Sequence, residues 1–188
     1  MRRRTLIASV GAIATLATGT IMSESADAQG NLENTIYMDI KQGRVVIEMF
    51  PDLAPLHCER IKLLAREKFY DNTPFHRVIE GFMAQGGDPT GTGTSGSKLP
   101  DLKAEFTTKR HFLRGTCGMA RTGNPDSANS QFFIMFAPAP HLDGQYTIWG
   151  QVVQGMEFVD QIKRGSGGGG TVSSPDRIIH FQVAADVK

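Results

Sequence analysis

From Thr35 to Phe50 the chain alternates inward- and outward-type residues with a period of two, interrupted once at Gln42-Gly43. Ile36, Met38 and Ile40 share one side and Tyr37 and Asp39 the other; Val45, Ile47 and Met49 then alternate with Arg44, Val46 and Glu48. A helix cannot gather such residues on one face, because its side chains repeat at about 3.6 residues. The pattern predicts a β-hairpin of Thr35–Lys41 and Arg44–Phe50. Val78-Ile79, Gly115–Met119, Phe132–Phe136, Tyr146–Val153 and Ile178–Ala184 read as further strands. Helical spacing occurs twice. Leu53, Leu56, Ile61, Leu64 and Ala65 follow Pro51-Asp52 in a run ending near Lys68, and Met156, Val159 and Ile162 share a face within Gly155–Lys163. Gly165–Pro175 is a glycine-rich turn before the last strand. Many short strands with two helices predict a mainly β, closed or nearly closed architecture.

The chain has 188 residues, enough for one domain that buries its core without disulfides or metal. Twenty Lys and Arg against 19 Asp and Glu give a net charge of +1, which argues against a nucleic-acid or membrane-surface protein. Arg2-Arg3-Arg4, an uncharged stretch to Met22 and the small-residue exit Ala26-Asp27-Ala28 read as a secretory signal, residues 1–28, cleaved after Ala28. Residues 5–22 are rich in Ala, Thr, Gly and Ser and are a poor membrane anchor. Residues 29–188 are then expected in a periplasm or outside the cell, with the general and twin-arginine export routes both open. Cys58 and Cys117 would face an oxidising compartment; two buried, unpaired small apolar residues is the preferred reading.

Gly91-Thr92-Gly93-Thr94-Ser95-Gly96 matches a bare dinucleotide-binding pattern. It lacks the strand before and the helix after that such a site needs, and Pro100 stops any helix, so a surface loop is expected. None of His57, His76, His111, His141 and His180 lies four residues from another, so neither a metal nor a cofactor is expected. No nucleophile-elbow sequence is present, and Cys117 sits in an apolar run where a thiol is usually inert. An enzyme built this way needs a reaction without covalent intermediate, metal or acid–base pair.

Two segments are more specific: Phe75–Asp88 (FHRVIEGFMAQGGD), and Met119-Ala120-Arg121 followed by Ser130–Ile134 (SQFFI). With Leu142-Asp143-Gly144 and the pair Trp149-Gly150, they make the chain resemble the cyclophilins, the cyclosporin-binding peptidyl-prolyl cis-trans isomerases. The resemblance runs from about Asn34 to Val187. It implies an eight-stranded antiparallel β-barrel capped by two α-helices, and isomerisation of X-Pro bonds in proline-containing polypeptides and unfolded clients. Arg77 matches the arginine to which the family assigns donation to the prolyl nitrogen. Phe82, Met83, Phe133 and Leu142 match the apolar wall around the proline ring, whereas alternation turns Phe132 into the core. Gln85 and Gln131 match polar positions that hold the peptide. Ala120 and Arg121 match the stretch whose main chain pairs with the residue before proline.

Three positions depart from the family pattern. His141 stands where cyclosporin-sensitive members have tryptophan, which implies weak cyclosporin binding. Tyr146 replaces a frequent histidine in the proline pocket and keeps an aromatic face with a polar tip. Arg121 replaces a common asparagine; if only its backbone is used, the change should alter preference for neighbouring substrate residues more than the chemistry. A peptide-binding module without catalysis is the competing reading, disfavoured by the intact Arg77, and a redox or metal protein is a third. No long apolar stripe is left over, so a monomer is expected.

Overall fold

The computed structural model describes residues 32–188; the expected signal and its cleavage after Ala28 lie outside the described residues. Among the described residues there are eight strands: β1 Thr35–Ile40, β2 Gly43–Met49, β3 Arg77–Ile79, β4 Met83–Gly86, β5 Thr116–Met119, β6 Phe132–Met135, β7 Ile148–Gln154 and β8 Ile178–Val183. They form one antiparallel sheet in the order β3-β4-β6-β5-β7-β2-β1-β8. The sheet curls, and β3 with the residues before it meets the segment leading into β8 through antiparallel bridges, Pro74 to Arg177 and Arg77 to Thr171. Backbone hydrogen bonds from Phe75 to Asp176 and from Ile178 to Thr73, both 3.0 Å, reinforce the closure.

The hairpin matches its sequence pattern: Ile36, Met38, Ile40, Val45, Ile47 and Met49 are all buried. The helices need two corrections. α1 spans Pro55–Arg66 and does not begin at Pro51. The clash between a proline ring and the preceding residue keeps Ala54 out of helical geometry (φ −140°, ψ 64°), so residues 51–53 form only a turn and Pro55 takes the first helical position. Cys58, Ile61, Leu64 and Ala65 face the core, while Leu56 is exposed. α2 is shorter than its pattern, Met156–Val159. Its ladder passes into tighter bonds three residues apart, Gln161 to Phe158 and Ile162 to Val159, which still bury Val159 and Ile162. The strand β4 is an addition: four residues ending at Gly86 are too short to display an alternation.

Two apolar clusters lie on opposite faces of the sheet, and β6 divides its side chains between them. Phe132 and Ile134 join Tyr70, Trp149 and Phe181 in the main core. Phe133 and Met135 join Phe50, Met83, Phe112, Leu142 and Ile148 in a second cluster. The alternation along Phe132–Met135 therefore gives one strand both a core face and a face for the site.

Candidate active site

Register across four strands sets the site. Arg77 of β3 lies opposite Gln85 of β4, Gln85 opposite Phe133 of β6, and Phe133 opposite Gly118 of β5. Gly118 is the space that Phe133 uses: a Cβ there would come within 2.4 Å of the Phe133 ring and 2.7 Å of Phe112. The two rings stack at 5.6 Å, and the edge of the pair is met by Tyr146, 5.7 Å from Phe133 at 85°.

Above this row is an open pocket of about 370 Å³ lined by Arg77, Phe82, Met83, Gln85, Ala120, Arg121, Phe133, His141, Leu142 and Tyr146. Ten of the eleven residues singled out from the sequence thus share one cavity. The eleventh, Gln131, lines an adjoining cavity of about 260 Å³ that shares Gln85, Ala120 and Arg121 with the first. Phe82 closes one side by stacking on His141 at 5.9 Å.

The polar groups are joined in a chain. Arg77 donates through Nη1 to Gln85 Oε1 (3.2 Å) and through Nε to the Gly169 carbonyl (3.1 Å). Gln85 Nε2 donates to Gln131 Oε1 (2.9 Å), and Gln131 Nε2 donates to the carbonyls of Gly93 and Ser95 (3.1 and 2.8 Å). Among the described residues Nη2 of Arg77 takes no protein hydrogen bond, so a guanidinium fixed at two nitrogens keeps a third free at the pocket. Asp88 shapes the loop that receives Gln131. Burial pushes its carboxyl up, but donors from Thr90, Gly93 and Ser95 outweigh this and hold it below the usual carboxylate range. The glycine-rich stretch from Gly91 is thus a loop, as its sequence suggests, but a structured one that supports the site.

Other contributors carry weak sequence signals. Gly169 supports Arg77 by its backbone alone, and a carbonyl is invisible to motif reading. Glu105 accepts the N–H groups of Leu56 and His57 (both 3.1 Å), so the first turn of α1 is capped from a distant loop. Its carboxylate also meets His57 Nδ1 at 2.6 Å. Burial nonetheless holds the His57 imidazole below its ordinary pKa, the contact with Glu105 offsetting only part of that. Burial likewise lowers His76. Cys58 and Cys117 are free and buried; burial pushes the Cys58 thiol up to about 12 and Cys117 further. Among the described residues no group of three His, Cys, Asp or Glu could hold a metal ion, and no helix is long and apolar enough to cross a membrane.

Comparison with known proteins agrees with this architecture. Residues 35–183 match the family model described as cyclophilin type peptidyl-prolyl cis-trans isomerase/CLD. A probable peptidyl-prolyl cis-trans isomerase of Brucella suis is 48% identical over 192 residues, covering 96% of each chain. Peptidyl-prolyl cis-trans isomerase-like 3 of Rattus norvegicus is 40% identical over 135 residues, 69% of this chain and 81% of the relative. The crystal structure of cyclophilin AquaCyp293 from Hirschia baltica superimposes with a TM-score of 0.75 at 24% identity, covering 88% and 81% of the two chains. A Cryptosporidium parvum cyclophilin type isomerase, solved in the presence of the dipeptide Ala-Pro, gives 0.73 at 29% identity, covering 79% and 98%. The chain belongs to the cyclophilin-type peptidyl-prolyl cis-trans isomerase family.

Proposed function

We propose that this isomerase acts on X-Pro bonds of exported, folding polypeptides, with Arg77 donating to the prolyl nitrogen of the twisted amide. Amide resonance sets a barrier of ~18–20 kcal/mol. Twisting the C–N bond removes that resonance and returns a lone pair to nitrogen, so a donor aimed there binds the transition state better than either planar form. Each ~1.4 kcal/mol of such preference is a tenfold gain in rate. A guanidinium stays charged and holds its donors in a fixed plane. The observation that carries the reading is the anchoring of Arg77 by Gln85 and Gly169, which leaves Nη2 available beside an apolar wall.

Phe82, Met83, Phe133, Leu142 and Tyr146 provide the surface against which the proline ring sits, and they exclude water that would weaken the hydrogen bond. Gln85 and Gln131 hold the peptide, and the main chain at Ala120 and Arg121 lies beside them as an edge for an extended segment. That the Cryptosporidium relative was crystallised in the presence of Ala-Pro supports proline-containing peptides as ligands. The basic start, apolar stretch and small-residue exit of residues 1–28 support export, and with it a periplasmic or secreted enzyme whose clients fold outside the cytoplasm; that no long apolar stripe is left over supports a monomer.

The test is isomerisation of a short X-Pro peptide by residues 29–188, wild type beside Arg77→Ala, with circular dichroism as the fold control. A loss of orders of magnitude in folded Arg77→Ala is the expected result. Full activity in the mutant would refute the assigned role. A folded but inactive wild type would make the domain a peptide-binding module.

A further inference from the structure

Every nitrogen of the Arg121 side chain donates a hydrogen bond within the protein. Nε and Nη2 both donate to the Gln145 carbonyl (3.1 and 2.9 Å), and Nη1 donates to the Thr122 carbonyl (2.8 Å). Its Cζ lies 4.5 Å from the centroid of the Tyr146 ring. All three nitrogens are used, in contrast to Arg77, and the flat cation is held against an aromatic face.

These contacts converge on one turn. Gln145 and Tyr146 both donate their N–H groups back to Leu142 (3.0 and 3.3 Å), and Gly144 in between adopts φ +67°. The turn carries two pocket walls, Leu142 and Tyr146, at its ends. It is tied down near Asp143, which accepts the N–H of Phe112 (2.8 Å), and at Thr147, which accepts the N–H of Glu105 (3.0 Å). Arg121 supplies the tie at Gln145. It also leaves the Tyr146 ring between a guanidinium and the ring of Phe133.

We propose that Arg121 is a positioning residue acting through its side chain, which fixes the Leu142–Thr147 turn and holds Tyr146 in place as a wall of the substrate pocket. This rests on the assignment of that pocket to the proline ring. Arg121 and Tyr146 then form one unit, and substitution of the arginine loosens the wall while leaving Arg77 and its anchors untouched. The effect falls on substrate binding more than on the twisting step. Lysine can place a charge near the ring but cannot also bridge two carbonyls with a planar fork, so it should restore only part of the function.

The purified protein is compared with Arg121→Ala, Arg121→Lys, Tyr146→Ala and the Arg121→Ala/Tyr146→Ala pair, with a thermal melt for each. Arg121→Ala is expected to raise KM by about tenfold with kcat changed less than about twofold, the lysine variant lying between. In the Tyr146→Ala background the same substitution should add less than about twofold. Amide hydrogen exchange gives an arm independent of activity: the Gln145 and Tyr146 amides, both bonded to Leu142, should exchange at least about tenfold faster in Arg121→Ala. Unchanged exchange overturns the proposal whatever the kinetics. An unchanged KM, or independent effects in the double variant, overturns it too. An inactive wild type would refute the proposed function instead, and the exchange arm would still decide whether Arg121 fixes the turn.

Discussion

Gly118→Ala is a sharp test of how the pocket floor is built. The backbone at this position needs no left-handed geometry, so the effect is steric. The new methyl would lie 2.4 Å from Phe133 Cζ, 2.8 Å from Cε2 and 2.7 Å from Phe112 Cε1, where ordinary contact begins at 3.4 Å. Phe133 must therefore give way by about 1 Å, and Phe112, itself crowded, closes the sideways route. The remaining direction is into the pocket. Overpacking of this kind costs about 1–3 kcal/mol, and for a chain of this length that is a fall of about 2–12 °C in Tm. The matched control is Gly123→Ala, where an added Cβ meets nothing within 4 Å. Thermal melts and X-Pro kinetics on both variants should show a lower Tm and a higher KM for Gly118→Ala alone. Shortening the ring in Gly118→Ala/Phe133→Leu should recover part of the stability. A Tm within about 1 °C of wild type, or no recovery in the double variant, would refute the reasoning.

Stability should decline as pH falls below 6.5, the ordinary imidazole value, because His57 and His76 resist protonation in the fold but not in the unfolded chain. The slope is at most about 1.4 kcal/mol per pH unit for each group, and His57→Gln should flatten it in urea melts between pH 5 and 7.5; an unaltered slope argues against the assignment. Neither cysteine should react with a thiol reagent in the folded state, and both should on unfolding; rapid modification of native protein would contradict their burial. Cyclosporin should bind weakly, since His141 offers a smaller ring than tryptophan and is stacked on Phe82; a dissociation constant in the low nanomolar range would defeat this expectation, and His141→Trp should tighten binding.

Where a residue's role depends on its neighbours in sequence, the sequence reveals it. The hairpin follows from period-two alternation alone, and once the resemblance places Phe133 at the site, the same alternation turns Phe132 into the core. What escapes is set by partners far along the chain. Pro55 starts α1 because it excludes helical geometry at Ala54, and its capping carboxylate, Glu105, comes from a loop fifty residues on. Strand β4 is held by pairing on both sides and has too few residues to show a pattern. At the site the side-chain types are legible from the family-like motifs, but the links among them are not. Gly169 and Gln145 act through carbonyls, which every residue has. Arg121, read as a backbone contributor, turns out to use every nitrogen of its side chain.

The sheet order has a consequence for how this protein is made. β1 pairs with β8, so Ile36 waits for Val183. The β1–β2 hairpin can form as soon as it emerges from the ribosome, but its other edge stays unpaired until nearly the whole remaining chain has been synthesised. Non-local pairing of this kind places folding in the slower regime of β proteins. In the interval β1 presents free N–H and C=O groups beside an apolar face, a template for pairing with another nascent chain. Chains terminated before Ile178 should therefore aggregate rather than persist as stable fragments.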